Sequence, residues 1–262
     1  MTAGGRGPVA GVLFDIDDTL IDLATAARNG FLRLAGGHLA GVPDADRRRA
    51  ADGFAEDAPG LYERYMTGEL SFREQRLGRL RHAYAQVGGP VLDEAELAAW
   101  NDGYESAMRA AWRPFDDVHP CLDELDRIGL PYGAVTNNVH DYQRAKLDLS
   151  GLGRIAVLVG SDTAGAPKPD PRPFRAGARM LGTKPEHTAY VGDNPVNDVR
   201  GARDAGLIAV LLDRRAAHPS PTAAEAHHAI STLAELSGIV RGPARTADFG
   251  IARGVGYSNY SC

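Results

Sequence analysis

Apolar residues in this chain fall into short unbroken runs, each ending at a polar residue. The first is Val9 to Phe14, opened by Pro8 and ended by Asp15. Three more share its form: Leu130 to Val135 stops at Thr136, Ile155 to Val159 stops near Ser161, and Thr188 to Val191 stops at Gly192-Asp193. A fifth run, Leu207 to Leu212, follows. Runs of this kind, without polar alternation, are the pattern of strands buried on both faces. Between them lie helical patterns at Cys121 to Ile128, Asp141 to Leu149, Pro173 to Leu181 and Val196 to Ala205. Gly129, Gly151, Gly182 and Gly206 stand where helix C-termini favour glycine. Strands alternating with such helices predict a doubly wound, Rossmann-like α/β core around a parallel five-stranded sheet.

The interval from Leu23 to Trp112 breaks this alternation. Helical patterns fill it, at Thr25 to Leu39, Ala45 to Ala55, Phe72 to Gln86 and Glu94 to Arg109. They predict a helical cap domain, residues 23–112, inserted after the first strand, with the core made of residues 1–22 and 113–240. Hinges are expected near Ile21-Asp22-Leu23 and Trp112-Arg113-Pro114. From Gly242 onward glycine, arginine and serine replace core-forming residues, which predicts a flexible tail over residues 241–262.

Composition narrows the functional classes. The chain has 262 residues, 44% hydrophobic and 24% charged, enough to bury a substantial core. A net charge of −5 gives no basic footprint for a nucleic-acid polymer or an anionic membrane. No apolar stretch has the length of a bilayer span. The N-terminal apolar run passes straight into acidic residues and lacks a signal-cleavage pattern. Two cysteines, Cys121 and Cys262, form no metal-ligand spacing and no disulfide framework, so a reducing, cytoplasmic setting is expected.

The candidate chemistry sits at the strand ends. In open parallel sheets ligands bind outside the carboxyl ends of the strands. Asp15, Asp17 and Asp18 follow the first run, and Thr136, Asn137 and Asn138 the second. Lys168 comes after the third by a short loop, and Asp193, Asn197 and Asp198 follow the fourth. Two carboxylates ~4 Å apart repel by roughly 4 kcal/mol at an effective dielectric near ~20. Asp15, Asp17 and Asp193 therefore require a counterion to stay ionised together. A hard divalent cation such as magnesium, with oxygen ligands, meets that need and suits a site that also holds phosphate.

These segments resemble the four signatures of haloacid dehalogenase-type phosphohydrolases. Asp15-Ile16-Asp17-Asp18-Thr19-Leu20 resembles the first and Val135-Thr136-Asn137-Asn138 the second. Lys168-Pro169-Asp170-Pro171 resembles the third, and Val191-Gly192-Asp193-Asn194-Pro195-Val196-Asn197-Asp198 the fourth. The resemblance implies a phosphatase in which Asp15 is the nucleophile and forms an aspartyl-phosphate. Asp17 would move the proton; because the dehalogenase branch does not use this aspartate as its acid/base, dehalogenation is disfavoured. Thr136 and the Asn137 amide would bind phosphoryl oxygens, and Lys168 would offset charge on phosphorus and keep Asp15 ionised. Magnesium would be held by Asp15, the Asp17 carbonyl and Asp193, with Asp198 orienting a bound water or Lys168.

The insert is similar to the helical cap of subfamily I, a mobile gate for water. Thr136-Asn137-Asn138 followed by Gln143 and Lys146, with Gly192-Asp193-Asn194, is similar to the group around N-acylneuraminate-9-phosphate phosphatase and pyrimidine 5'-nucleotidase. Within the cap, Arg73, Arg76 and Tyr65 are candidates to reach a substrate, since arginine forks suit anions; Arg73 and Arg76 serve equally well as surface residues of an amphipathic helix. The expected partner is a small phosphate monoester, a sugar phosphate or a nucleotide, handled by a monomer or homodimer. Two alternatives stay open: a phosphomutase or phosphotransferase of the same fold, and a binding protein that keeps the fold without chemistry.

Overall fold

The computed structural model describes residues 8–215 and 225–241. The expected tail from Gly242 onward, Cys262 included, lies outside the described residues.

The apolar runs form a parallel sheet. Its strands are β1 (Gly11–Phe14), β2 (Tyr132–Val135), β3 (Val157–Val159), β4 (Thr188–Gly192), β5 (Ile208–Leu212) and β6 (His228–Ile230), in the order β3-β2-β1-β4-β5-β6. Every neighbouring pair is parallel. The sheet therefore has six strands where the sequence predicts five. The sixth is an edge strand of three residues, two of them exposed, and so carries no apolar run to announce it.

Side chains alternate across the sheet as strand geometry dictates. Val12, Phe14, Ala189 and Val210 face one apolar cluster, whereas Leu13, Tyr190, Ala209 and Leu211 face another. The second cluster is covered by α9 (Pro171–Met180) and α10 (Gly201–Asp204), through Phe174 and Ala202. The first is covered by α6 (Val118–Arg127) and α7 (His140–Leu149), through Leu122, Leu125 and Leu147. Burying a side chain such as Phe14 or Leu13 stabilises the fold by about 1.5–3 kcal/mol. The short helices α8 (Ser161–Ala164) and α11 (Leu236–Val240) complete this part of the chain.

The helical interval consists of α1 (Leu23–His38), α2 (Asp44–Ala55), α3 (Leu61–Met66), α4 (Phe72–Ala85) and α5 (Glu94–Ala111). Reciprocal side-chain caps start α4 and α5: Ser71 with Glu74, and Asp93 with Glu96. An aromatic cluster of Phe31, Phe54, Trp100 and Tyr104 holds these helices together, with Trp100 stacked on Tyr104 at 4.8 Å between ring centres. The chain leaves and returns to the sheet side by side. Asp22 N donates to Arg113 O (3.1 Å) and Phe115 N to Leu20 O (3.1 Å), at the two expected hinges.

Candidate active site

The site is built at the carboxyl edge of the sheet. Asp15 follows β1 and its amide bonds Val191 O of β4 at 2.8 Å, so its side chain is fixed between two central strands. The chain then turns tightly. Asp18 takes a left-handed conformation (φ 58°), which aspartate tolerates, and its Oδ1 accepts from Ala24 N at 2.9 Å near the start of α1. Asp18 is thus a local brace, and burial raises its pKa to about 6.

Lys168 reaches this edge from the loop between α8 and α9 and is buried. Its Nζ donates to Asp15 Oδ1 (2.6 Å), Asp198 Oδ1 (2.7 Å) and the Tyr190 hydroxyl (2.9 Å). Its backbone is gripped by Asn137, whose Oδ1 accepts from Lys168 N (2.5 Å) while Nδ2 donates to Lys168 O (3.0 Å). Burial favours the neutral amine, but Asp15 and Asp198 outweigh it and hold the pKa of Lys168 well above the usual lysine value.

Asp198 lies beneath the site on a wide helical turn, Pro195–Arg200, that follows β4. Asn194 starts that turn by accepting from Val196 N (3.0 Å) and Asn197 N (2.8 Å). This leaves Asn197 in a capping arrangement. Both oxygens of Asp198 are taken by protein donors: Oδ1 by Lys168, with the Tyr190 hydroxyl at 3.1 Å, and Oδ2 by Asn194 N at 2.9 Å. Gly192 makes this possible. A Cβ there would overlap the carboxyl group of Asp198.

Asp15, Asp193 and Asp198 bring carboxylate oxygens within 4.8 Å of one another. Burial, then Asp198, then Asp15 push the pKa of Asp193 up to about 8. Burial pushes Asp15 up to about 7, Lys168 opposing and Asp198 adding to the rise. Among the described residues the carboxyl of Asp193 and Oδ2 of Asp15 accept no protein hydrogen bond. Two hard oxygen donors with surplus negative charge fit a magnesium-type cation, whereas Asp198, with both oxygens engaged, fits the support of Lys168.

Asp17 and Thr136 form the other side of the site. Thr136 Oγ1 accepts from Gln143 Nε2 at 2.9 Å, and the same amide nitrogen reaches Asp17 Oδ2 at 2.9 Å. Lys146 Nζ pairs with Asp17 Oδ1 at 2.5 Å. In the sequence Gln143 and Lys146 serve only as marks of likeness. Their three-residue spacing, which puts both on the face of α7 turned toward Thr136, was the available signal.

The candidates in the helical interval divide. Arg76, expected to reach a substrate, is instead buried between α4 and α5: its guanidinium bonds Glu105 (2.8 Å) and Asn101 (3.2 Å) and lies over Phe72 and Tyr104. That correction follows from its place on the inward face of α4. Arg73 is exposed, and Tyr65 packs between Tyr62 and Phe72. Tyr62, at the start of α3, lies close enough to the site to feel its charges. Burial raises the pKa of its phenol, and the negative charges of Asp17 and Asp15 raise it further. Asp57 holds the start of α3, its two oxygens accepting from Leu61 N (3.0 Å) and Tyr62 N (2.7 Å).

Comparison with known proteins agrees with this geometry. The family described as haloacid dehalogenase-like hydrolase matches residues 9–206. A phosphoserine phosphatase of Thermus thermophilus is 34% identical over 230 residues, spanning 78% of this chain and 88% of the relative. A glyceraldehyde 3-phosphate phosphatase of Methanopyrus kandleri is 32% identical over 212 residues, 79% of this chain and 84% of the relative. Among solved structures, the HAD-hydrolase YfnB of Bacillus subtilis, bound to magnesium, superposes with a TM-score of 0.71 at 22% identity, covering 89% of this chain and 99% of that one. A dehalogenase structure also superposes, with a TM-score of 0.67 at 22% identity over 87% of this chain and 96% of that one, so fold likeness alone does not choose the reaction. The matched span, the sheet order and the four strand-end loops converge on one conclusion: the chain belongs to the haloacid dehalogenase-like hydrolase family.

Proposed function

We propose that this chain is a magnesium-dependent phosphatase that hydrolyses a small organic phosphate monoester through an aspartyl-phosphate on Asp15. The observation that carries the reading is the buried triad Asp15–Lys168–Asp198 with the carboxyl of Asp193 beside it. A carboxylate nucleophile, a fixed ammonium and an acidic metal pocket meet at one strand edge.

Each residue has a task in this reading. Asp15 forms a bond to phosphorus as the bond to the leaving oxygen breaks, and Asp17 gives that oxygen a proton. Asp17 then takes a proton from water as the water attacks the acyl-phosphate, which frees phosphate and restores Asp15. Thr136 Oγ1 and the Asn137 amide bind the phosphoryl oxygens. Lys168, held in place by Asn137 and Asp198, offsets charge on phosphorus. Asp15, the Asp17 carbonyl and Asp193 hold the cation. When bound, magnesium neutralises the carboxylates and polarises the phosphoryl group.

The curated relatives reported above act on small phosphorylated metabolites, which supports a substrate of that size. We read the five helices between β1 and α6 as a cap domain hinged at the paired linkers, with Tyr62 facing the substrate. The test is phosphate release from a panel of monoesters with and without magnesium. Asp15→Asn should abolish release while the far-ultraviolet dichroism of the fold persists. Full activity in that variant overturns the nucleophile, and stoichiometric transfer to a second hydroxyl without free phosphate overturns hydrolysis.

A further inference from the structure

Two buried polar side chains on α7 have no place in the mechanism just given. Gln143 and Lys146 are both essentially closed to solvent, at 0% and 1% exposure, on a helix whose other positions include the exposed Leu149. Burying an ammonium group costs several kcal/mol unless a partner compensates it, so an aliphatic residue would be the less costly occupant of position 146. Its one ion-pair partner among the described residues is Asp17.

The contacts divide the carboxyl group between two donors. Lys146 Nζ holds Oδ1 of Asp17 at 2.5 Å and Gln143 Nε2 holds Oδ2 at 2.9 Å, which fixes the plane of the carboxyl as well as its position. Gln143 also spans to Thr136 Oγ1 at 2.9 Å, so Asp17 and the phosphoryl-binding hydroxyl share one anchor. Lys146 is walled by aromatic rings. Its Nζ lies 5.2 Å from the ring centre of Trp112 and 5.4 Å from that of Tyr142. Trp112 ends α5 at the returning linker. Burial raises the pKa of the Tyr142 phenol, which lies close enough to Glu105 of the same helix for that carboxylate to raise it further.

Resting on the phosphatase reading, we infer that Gln143 and Lys146 are positioning residues that set the orientation of Asp17 for proton transfer, and that Trp112 ties this orientation to the seat of the cap. Loss of Lys146 leaves the nucleophile, the metal pocket and the Thr136 anchor intact and impairs proton delivery alone, whereas loss of Gln143 also frees Thr136. A leaving group that departs readily without a proton, such as 4-nitrophenolate, is then insensitive to the loss of Lys146. An alkoxide leaving group depends on it.

The experiment is single-turnover phosphoenzyme formation by wild type, Lys146→Met and Gln143→Met, each with magnesium, on 4-nitrophenyl phosphate and on an alkyl phosphate. Lys146→Met should slow the alkyl ester by about 100-fold, within the range of general acid catalysis, and the nitrophenyl ester by less than about 3-fold; Gln143→Met, which also frees Thr136, should slow both, the alkyl ester by about 10-fold more. Gln143→Met carries the test if Lys146→Met does not fold. Trp112→Leu should give the same leaving-group dependence at smaller size, and Trp112→Phe should not. Equal losses on both esters, or none, overturn the clamp. A change in KM alone for Trp112→Leu overturns the link to the cap. A wild-type protein that acts on no phosphate ester removes the phosphatase reading and the clamp with it, an outcome distinct from an active wild type matched by its variants.

Discussion

Asn137 and Lys168 are joined through both backbone groups of the lysine, the amide at 2.5 Å and the carbonyl at 3.0 Å. The second signature loop thereby positions the third. An ammonium on a long side chain would otherwise sample many rotamers, and here its root is held as firmly as its tip. Asn137→Ala should lower stability by about 1–2 kcal/mol, the net worth of two hydrogen bonds, and reduce kcat by about 10-fold or more. Thermal melting together with steady-state phosphate release checks this, and an unchanged kcat would remove Asn137 from the positioning of Lys168.

Gly192→Ala should be harmful out of proportion to one methyl group. The added Cβ meets the carboxyl of Asp198, which must move and release Lys168. Overpacking of this kind typically costs about 1–3 kcal/mol. The expected result is a lower melting temperature with loss of most activity. A variant as active and stable as the parent would show that Asp198 has another place to go.

The acidic pocket should make the stability of the cation-free protein depend on pH in a specific direction. Asp193 and Asp15 titrate near about 8 and about 7, above the ordinary carboxylate value, chiefly because they are buried. A carboxyl that holds its proton more tightly when folded stabilises the fold at low pH and loses that contribution as pH rises through its folded value. The cation-free protein should therefore lose stability as pH rises from about 4 to about 8. Magnesium should raise the melting temperature more at pH ~8 than at pH ~5, where protons compete for the same oxygens. Scanning calorimetry at the two pH values decides it; equal shifts would place the cation elsewhere.

Tyr62 should govern substrate fit more than chemistry. Tyr62→Ala is expected to raise KM for the preferred ester by about 10-fold, the effect of roughly 1.4 kcal/mol of lost binding, with kcat on 4-nitrophenyl phosphate little changed. A kcat loss at constant KM would instead give the phenol a part in the reaction.

What could be read from the chain alone follows from the physics of each element. β1, β4 and β5 are buried at every position, so their residues register as apolar runs and the loops after them stand out. β6 is half exposed, and no run marks it. α3 has six residues, none of them fully buried, too few for a helical period, so nothing in the sequence marks Tyr62. Arg76 misled because a cation in sequence looks solvent-seeking, whereas Glu105 and two rings shelter it here. Gln143 and Lys146 escaped assignment for a related reason: polar residues on a helix read as its outer face unless their partners, more than a hundred positions away at Asp17, are known.

The paired linkers at Leu20–Asp22 and Arg113–Phe115 carry one more consequence. Because the outgoing and returning chain run next to each other, about 5 Å apart as neighbouring strands do, the sheet edge closes behind whatever is inserted there. The helical body is, topologically, a loop of some ninety residues hung from a single point. Such a body can change in length or packing without disturbing the register of the strand-end residues beneath it.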